Sequence, residues 1–178
     1  MGTRGITQVN MGNKPVVAQY GQWDHYPSGQ GITALNFLRR RKGKFDTFKK
    51  KLSRVRFATD EDEKKMTEYL NSIGSSNGWA TMEQSALYNK KYPYLSRDHG
   101  ARILDLINKS TKKDDVLLVD DSTYPTNEKS FGCEGVYTID FDKNTFTANY
   151  HGHEKIYQLD DLPTQKQFLK DMKDPEDE

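Results

Sequence analysis

Residues 1–31, MGTRGITQVNMGNKPVVAQYGQWDHYPSGQG, carry the strongest structural signal in this chain. Two alternating segments, 5–9 and 16–20, flank the turn sequence NMGNKP and predict a β-hairpin. The sequence YPSGQG that follows is typical of a tight turn that leads into a helix. Polar side chains, glycines and the start of a helix are therefore expected to converge on one edge of a sheet.

Beyond this hairpin the sequence is first helical and then rich in β-strands. Apolar residues at helical spacing predict helices over about 31–41, 45–55, 60–73, 82–91 and 96–109. The period then changes, which predicts strands at 116–119, 135–141, 145–150 and 154–159 before a short helix opened by Pro163. This order predicts a single α+β domain over 1–173, with the N- and C-terminal hairpins in one antiparallel sheet and an acidic frayed tail at 174–178.

Composition narrows the class of protein. One cysteine among 178 residues, Cys133, excludes an internal disulfide and a cysteine-built zinc site. No apolar run approaches the roughly 20 residues that span a bilayer, and the N-terminus lacks the layout of a signal peptide. The pair His151 and His153 has no third ligand in sight. We therefore predict a cytoplasmic protein with no membrane partner, no metal and no cofactor.

Charge is strongly segregated along the chain, although the net charge is +1. Residues 39–56 hold ten cations and a single acid, Asp46; Phe45 and Phe48 lie among them and Phe57 directly follows. Such a stretch predicts a helical surface that binds a phosphate backbone. The alternative is a solvated helix face that the acids at 60–63 partly neutralise. The ten cations are Arg39, Arg40, Arg41, Lys42, Lys44, Lys49, Lys50, Lys51, Arg54 and Arg56.

A second candidate site lies at the edge of the predicted hairpin. The hairpin is expected to bring Thr3 and Arg4 close to Asp24, with Tyr26 beside them. In a hydrolase, Asp24 would either act as the general base or orient another group that does so. Arg4 would stabilise a developing anion. The structural alternative is that Asp24 caps a turn and forms a half-buried ion pair with Arg4.

The motifs M-x-T-R at 1–4 and D-x-Y-P-x-G-x-G at 24–31 resemble a broad family of proteins found in phages, plasmids, bacteria and fungi. The segments LSRDHGARILDLI at 95–107 and Cys133-Glu134 are also similar to that family, whereas 43–92 shows no likeness. The resemblance implies no particular activity. Its phage and plasmid members imply an accessory protein of mobile elements that blunts a host defence such as CRISPR, with a Cas effector as the partner.

The N-terminus also resembles that of N-terminal nucleophile (Ntn) hydrolases. Gly2-Thr3 is similar to the bond at which such precursors cleave themselves, and a strand ending in Asp24 is similar to the acid that orients the freed amine. This resemblance implies an Ntn-hydrolase-like fold with Thr3 as the nucleophile. The chain departs from that pattern because Met1 and Gly2 precede Thr3, so the Thr3 amine is part of a peptide bond.

Three functions follow from these observations. We predict first a protein that binds a nucleic acid or a ribonucleoprotein through the basic residues at 39–56. The alternative is a hydrolase, either a nuclease or an amidohydrolase, centred on Thr3, Arg4, Asp24 and Tyr26. A ligand-binding module without catalysis is the third.

Overall fold

The computed structural model describes residues 2–75, 79–111 and 116–173; the predicted acidic tail at 174–178 lies outside these ranges. Helices pack against a β-sheet, which confirms the predicted α+β class. The strands are β1 (Gly5–Asn10), β2 (Pro15–Gly21), β3 (Val55–Phe57), β4 (Leu117–Val119), β5 (Gly135–Asp140), β6 (Thr145–Tyr150) and β7 (His153–Gln158). The helices are α1 (Ile32–Arg40), α2 (Asp46–Leu52), α3 (Asp60–Ser72), α4 (Met82–Lys91), α5 (Ile103–Lys109) and α6 (Gln165–Asp171).

The two hairpins share one sheet, as predicted, but a parallel pair joins them. The strand order is β2-β1-β5-β6-β7, and every neighbouring pair is antiparallel except β1 and β5. The sheet is therefore mixed, which corrects the expectation of an antiparallel sheet throughout. Parallel strands need a long crossover between them, and the helical middle of the chain supplies it.

The core forms because each packed helix has one apolar stripe. α1 is in contact with both α5 and α6, and its buried residues share one hydrophobic core with residues of the strands. The phenylalanines of α1 and α2 meet edge to face, with 4.8 Å between the ring centroids of Phe37 and Phe48. The residues that these helices bury are Ala34, Leu35, Phe37, Leu38, Phe48, Leu52, Ile103, Leu104, Ile107 and Phe168.

α3 and α4 differ from the other helices because neither has a buried residue. Each begins with a capping box, formed by Thr59 with Asp62 and by Thr81 with Gln84, which satisfies the first free N–H groups. The first turn of each helix is thus stabilised locally, and the two helices contact each other. Within the described ranges, no helix combines the length and the apolar character needed to cross a membrane.

Two of the predicted helices are shorter than expected. The helix predicted over 45–55 ends at Leu52, and β3 follows it and pairs in parallel with β4. The helix predicted over 96–109 starts only at Ile103, after a single 3₁₀ turn at 100–102. Gly100 has φ +51°, a left-handed conformation that a continuous α-helix cannot contain.

Candidate functional site

A row of three glycines crosses the end of the sheet where the sequence motifs meet. Gly5 of β1 lies opposite Gly21 of β2 and Gly135 of β5. A Cβ on Gly21 would lie 2.1 Å from the His25 ring, and one on Gly135 would lie 2.0 Å from the His25 carbonyl oxygen. These strand ends must be glycine, because the chain after β2 crosses directly over them.

His25 fixes that crossing segment to the sheet. Its backbone N–H donates to the Thr3 carbonyl at 3.1 Å, and its own carbonyl accepts the Tyr137 hydroxyl at 2.6 Å. Burial lowers the pKa of the imidazole to about 4, against the opposing effects of the Trp23 carbonyl and Asp24. His25 is therefore a neutral, structural histidine at pH 7. Sequence reasoning missed this role, although the glycines around it were the available signal.

The segment 96–102 divides this end of the molecule into two cavities. The Gln19 Nε2 donates to the Ser96 carbonyl at 3.0 Å, and the Ala101 N–H donates to Gln30 Oε1 at 2.9 Å. These bonds hold the segment LSRDHGA beside the turn that contains Gln30. Two motifs that are far apart in the sequence thus lie side by side at this end of the molecule.

The first cavity, which we name the acidic cavity, has a volume of about 510 Å³. Asp24 and Asp98 lie in its wall with the Arg102 side chain, and Trp23 is exposed at its side. Asp24 has φ +61°, and the Gln30 N–H donates to its carbonyl at 2.7 Å. Two carboxylates with one guanidinium suit a polar ligand that is not an anion.

The second cavity, which we name the arginine cavity, has a volume of about 430 Å³. Arg4 reaches it from the start of β1, and Arg97 reaches it from the segment next to Asp98. Its other lining residues are Tyr20, Asp120, Ser122, Glu128, Lys129 and Phe131. Arg97 and Asp98 are adjacent in sequence and line different cavities.

The predicted cleft of Thr3, Arg4, Asp24 and Tyr26 is not assembled as one site. Arg4 donates to the Gly132 carbonyl at 3.3 Å, and Thr3 uses its carbonyl to hold His25. Tyr26 donates to Asp24 Oδ1 at 3.1 Å, which raises the pKa of the phenol. The expected ion pair between Arg4 and Asp24 is absent from the described residues. His25 is bonded to Thr3 and Tyr137, and the residues on either side of it are placed accordingly: Asp24 lines the acidic cavity, whereas Arg4 lines the arginine cavity.

Cys133 and the histidine pair have separate surroundings. Burial raises the pKa of the Cys133 thiol despite the nearby Arg4, so the thiol is protonated at neutral pH. His153 Nε2 lies 2.8 Å from the Asp171 carbonyl, whereas His151 Nε2 lies 3.5 Å from Glu134. In the described parts of the chain, no three His, Cys, Asp or Glu side chains lie together as a metal site.

Six of the ten predicted phosphate-binding cations have a partner within the protein. Arg40 and Arg41 reach Asp105 at 3.5 Å and 3.1 Å, and the Arg41 guanidinium also lies 4.1 Å from the Phe37 ring centroid. Lys51 donates to the Asn108 carbonyl. The other partners are the Phe141 ring for Lys49, Ser110 and Thr111 for Arg54, and Asp62 for Arg56.

Arg39, Lys42, Lys44 and Lys50 are the other four, and their side chains are exposed. Within the described ranges, no side-chain hydrogen bond or ion pair holds any of them. The interleaved aromatic residues do not share this exposure, because Phe48 is buried and Phe45 packs on Phe141 with 5.6 Å between ring centroids. The tract therefore presents charge without a surface for base stacking.

Comparisons with known proteins identify no family for this chain. The motif resemblance to phage, plasmid, bacterial and fungal proteins, and the likeness to Ntn hydrolases, therefore stay predictions. Neither a protein-family model, nor a curated protein, nor a solved structure matches this chain.

Proposed function

We propose that this protein binds a nucleic acid or a ribonucleoprotein through a basic face made of Arg39, Arg40, Lys42, Lys44 and Lys50. One observation carries the proposal: four of these side chains are exposed cations without a partner in the described residues. The fifth, Arg40, has a side chain that is 60% exposed. It shares the Asp105 carboxylate with Arg41, which makes the shorter contact.

The arrangement of the basic face suits a phosphate backbone. Arg39 and Arg40 end α1, Lys42 and Lys44 occupy the turn that follows, and Lys50 lies in the last turn of α2. Cations brought together in this way attract a polyanion without reading its sequence. The partnered cations beneath them hold α1 and α2 against α5, so the face is presented on a fixed surface.

The experiment measures binding to a labelled single-stranded RNA and to a labelled duplex DNA by fluorescence anisotropy at increasing salt concentrations. Each phosphate that the protein neutralises contributes a log–log slope of about −0.7 for a single strand and about −0.9 for a duplex. With about four contacts, the affinity for the duplex should fall roughly a hundredfold between about 50 and 200 mM salt. Binding that does not change with salt contradicts the proposal.

A matched pair of variants separates the basic face from net charge. Replacing Arg39, Lys42, Lys44 and Lys50 by Glu should abolish the salt-dependent binding and leave the melting temperature close to that of the wild type. The control replaces exposed lysines on other surfaces by Glu, with the same change in net charge: Lys64, Lys90, Lys155 and Lys166. Equal loss of binding in the two variants contradicts the assignment to the basic face.

The resemblance to phage and plasmid proteins makes a host-defence ribonucleoprotein, such as a Cas effector, the ribonucleoprotein to test. The same two variants should differ in their inhibition of target cleavage by the effector. Inhibition by the control variant only would support the proposal. The hydrolase alternative stays a prediction; it requires Arg4 and Asp24 to act together, and these two residues line different cavities.

A further inference from the structure

The arginine cavity holds two cations that the fold does not neutralise. Asp120, an acid in its wall, accepts Lys129 Nζ at 2.8 Å and Ser122 Oγ at 2.9 Å, one on each carboxylate oxygen. Arg4 uses one donor for the Gly132 carbonyl, and a guanidinium has five. Within the described ranges, neither Arg4 nor Arg97 has an acidic partner. Their remaining donors are available to an anion in the cavity.

Both arginines are carried by backbone that is held in place. Arg4 directly precedes β1, and its own N–H donates to the Glu134 carboxylate at 3.2 Å while its carbonyl accepts the Glu134 N–H at 2.8 Å. Arg97 follows Ser96, whose carbonyl is bonded to the buried Gln19 side chain. Two guanidinium groups on fixed backbone suit a phosphate group, because each offers donors in a planar fork.

The cavity also contains aromatic side chains and a carboxylate. The Phe131 ring is 65% exposed although it lies beside the cations, so it offers an apolar plane to a ligand. Tyr20 is held through its hydroxyl, which donates to Gln22 at 2.6 Å. The exposed Glu128 carboxylate accepts hydroxyl groups and disfavours a plain polyanion, as acids do at a ribose.

We propose that the arginine cavity binds a nucleotide, with the phosphate between Arg4 and Arg97, the base against Phe131 and the ribose hydroxyls at Glu128. The volume of about 430 Å³ is within the range of small-ligand sites, roughly 300–1,000 Å³. The nucleotide is either free in solution or the 5′-phosphorylated end of a strand, since both present the same chemistry. This site does not depend on the basic face.

Isothermal titration calorimetry with AMP, adenosine and inorganic phosphate tests the proposal. AMP should bind at least about tenfold more tightly than either part alone, because the phosphate and the base have separate partners in the cavity. A 5′-phosphorylated tetranucleotide and its unphosphorylated form then identify the source of the ligand. Tighter binding of the phosphorylated tetranucleotide than of AMP assigns the site to a strand end, and the reverse assigns it to a free nucleotide.

Arg97→Gln and Arg102→Gln form a matched pair, because both residues are exposed and lie in the same short segment but line different cavities. Arg97→Gln should weaken AMP binding about ten- to a hundredfold, the usual effect of losing a charge-assisted contact. Arg102→Gln should leave the affinity unchanged, and Phe131→Ala should weaken AMP but not phosphate. No binding of either AMP or the phosphorylated tetranucleotide, or equal effects of the two arginine variants, overturns the proposal.

The basic-face variant separates this site from the proposed function. The variant with Arg39, Lys42, Lys44 and Lys50 replaced by Glu should bind AMP like the wild type. Arg97→Gln should keep the salt-dependent binding of unphosphorylated nucleic acid. Loss of AMP binding in the basic-face variant contradicts a separate nucleotide site.

Discussion

The end of the sheet around His25 and the basic helices at 39–56 are both polar in sequence, and they use polarity in different ways. At the sheet end, close backbone packing on three glycines makes His25 a structural residue, whereas Arg4 and Arg97 have no acidic partner in the described residues. In the basic helices the packing is done by apolar residues, and the cations share a surface. There, neighbours in sequence such as Arg39 and Arg41 differ completely in their contacts. The contacts of a polar side chain, and not its type, distinguish a structural role from a binding role.

The largest expected effect is at the glycine row. Gly135→Ala should lower the free energy of unfolding by more than about 3 kcal/mol, because its Cβ would meet the backbone oxygen of His25. Gly21→Ala should also destabilise, but the three atoms nearest to its Cβ all belong to the side-chain ring of His25. In the His25→Ala background, the loss of unfolding free energy caused by Gly21→Ala should therefore be smaller, whereas the loss caused by Gly135→Ala should not change. Urea unfolding in a double-mutant cycle measures both. Additive effects of Gly21→Ala and His25→Ala would show that the ring does not occupy this position.

The pH dependence of stability should depend on His25. Its pKa is lowered from 6.5 to about 4 in the folded state, so the unfolded state binds the proton first. The stabilisation is complete above about pH 6.5 and is lost as the pH falls toward 4, by about 3 kcal/mol in total.

Urea unfolding at several pH values should show this loss in the wild type and a smaller loss in His25→Gln. His99→Gln is the comparison, since burial also lowers the pKa of His99 and acts with the same sign. Identical pH profiles of the wild type and His25→Gln would mean that the imidazole is not buried.

Arg41 and Arg39 test the difference between cations that have contacts within the protein and cations that are exposed. Arg41→Ala should cost about 1–2 kcal/mol, because it removes the contacts with Asp105, the Phe37 carbonyl and the Phe37 ring. Arg39→Ala should change stability by less than about 0.5 kcal/mol, as at other exposed positions. Thermal unfolding monitored by circular dichroism compares the two, and equal losses would contradict this difference.

The smallest effect is expected at Asp24. With no ion pair to Arg4, Asp24→Ala should cost about 1 kcal/mol, the penalty of placing alanine in a left-handed conformation. Asp24→Gly should be close to neutral, because glycine adopts that conformation freely. Chemical denaturation of both variants is the measurement. A loss of more than about 2 kcal/mol in Asp24→Ala would instead indicate a buried charge left without its partner.

Periodicity and turn residues were sufficient to predict most of the elements. The hairpin at the N-terminus, α1, α3, α4 and the last three strands lie close to their predicted positions, because each is defined by contacts between residues near in sequence. β3 was not predicted, since a three-residue strand has too few residues to show a period, and its pairing with β4 is long-range. The parallel pairing of β1 with β5 is likewise not encoded in either strand alone.

In the candidate site, too, some properties are determined by the sequence and others by tertiary packing. The motif residues Arg4, Asp24 and Arg97, and the excess of cations at 39–56, are properties of the chain itself, because residue type and local spacing fix them. Their grouping is decided by packing. His25 packs on the glycines of the strand ends, and Asp24 lines one cavity with Asp98, whereas Arg4 lines another with Arg97. Packing of α1 and α2 beside α5 also gives Arg40, Arg41 and Lys51 their partners within the protein. Such groupings depend on contacts between residues far apart in sequence, which no local pattern records.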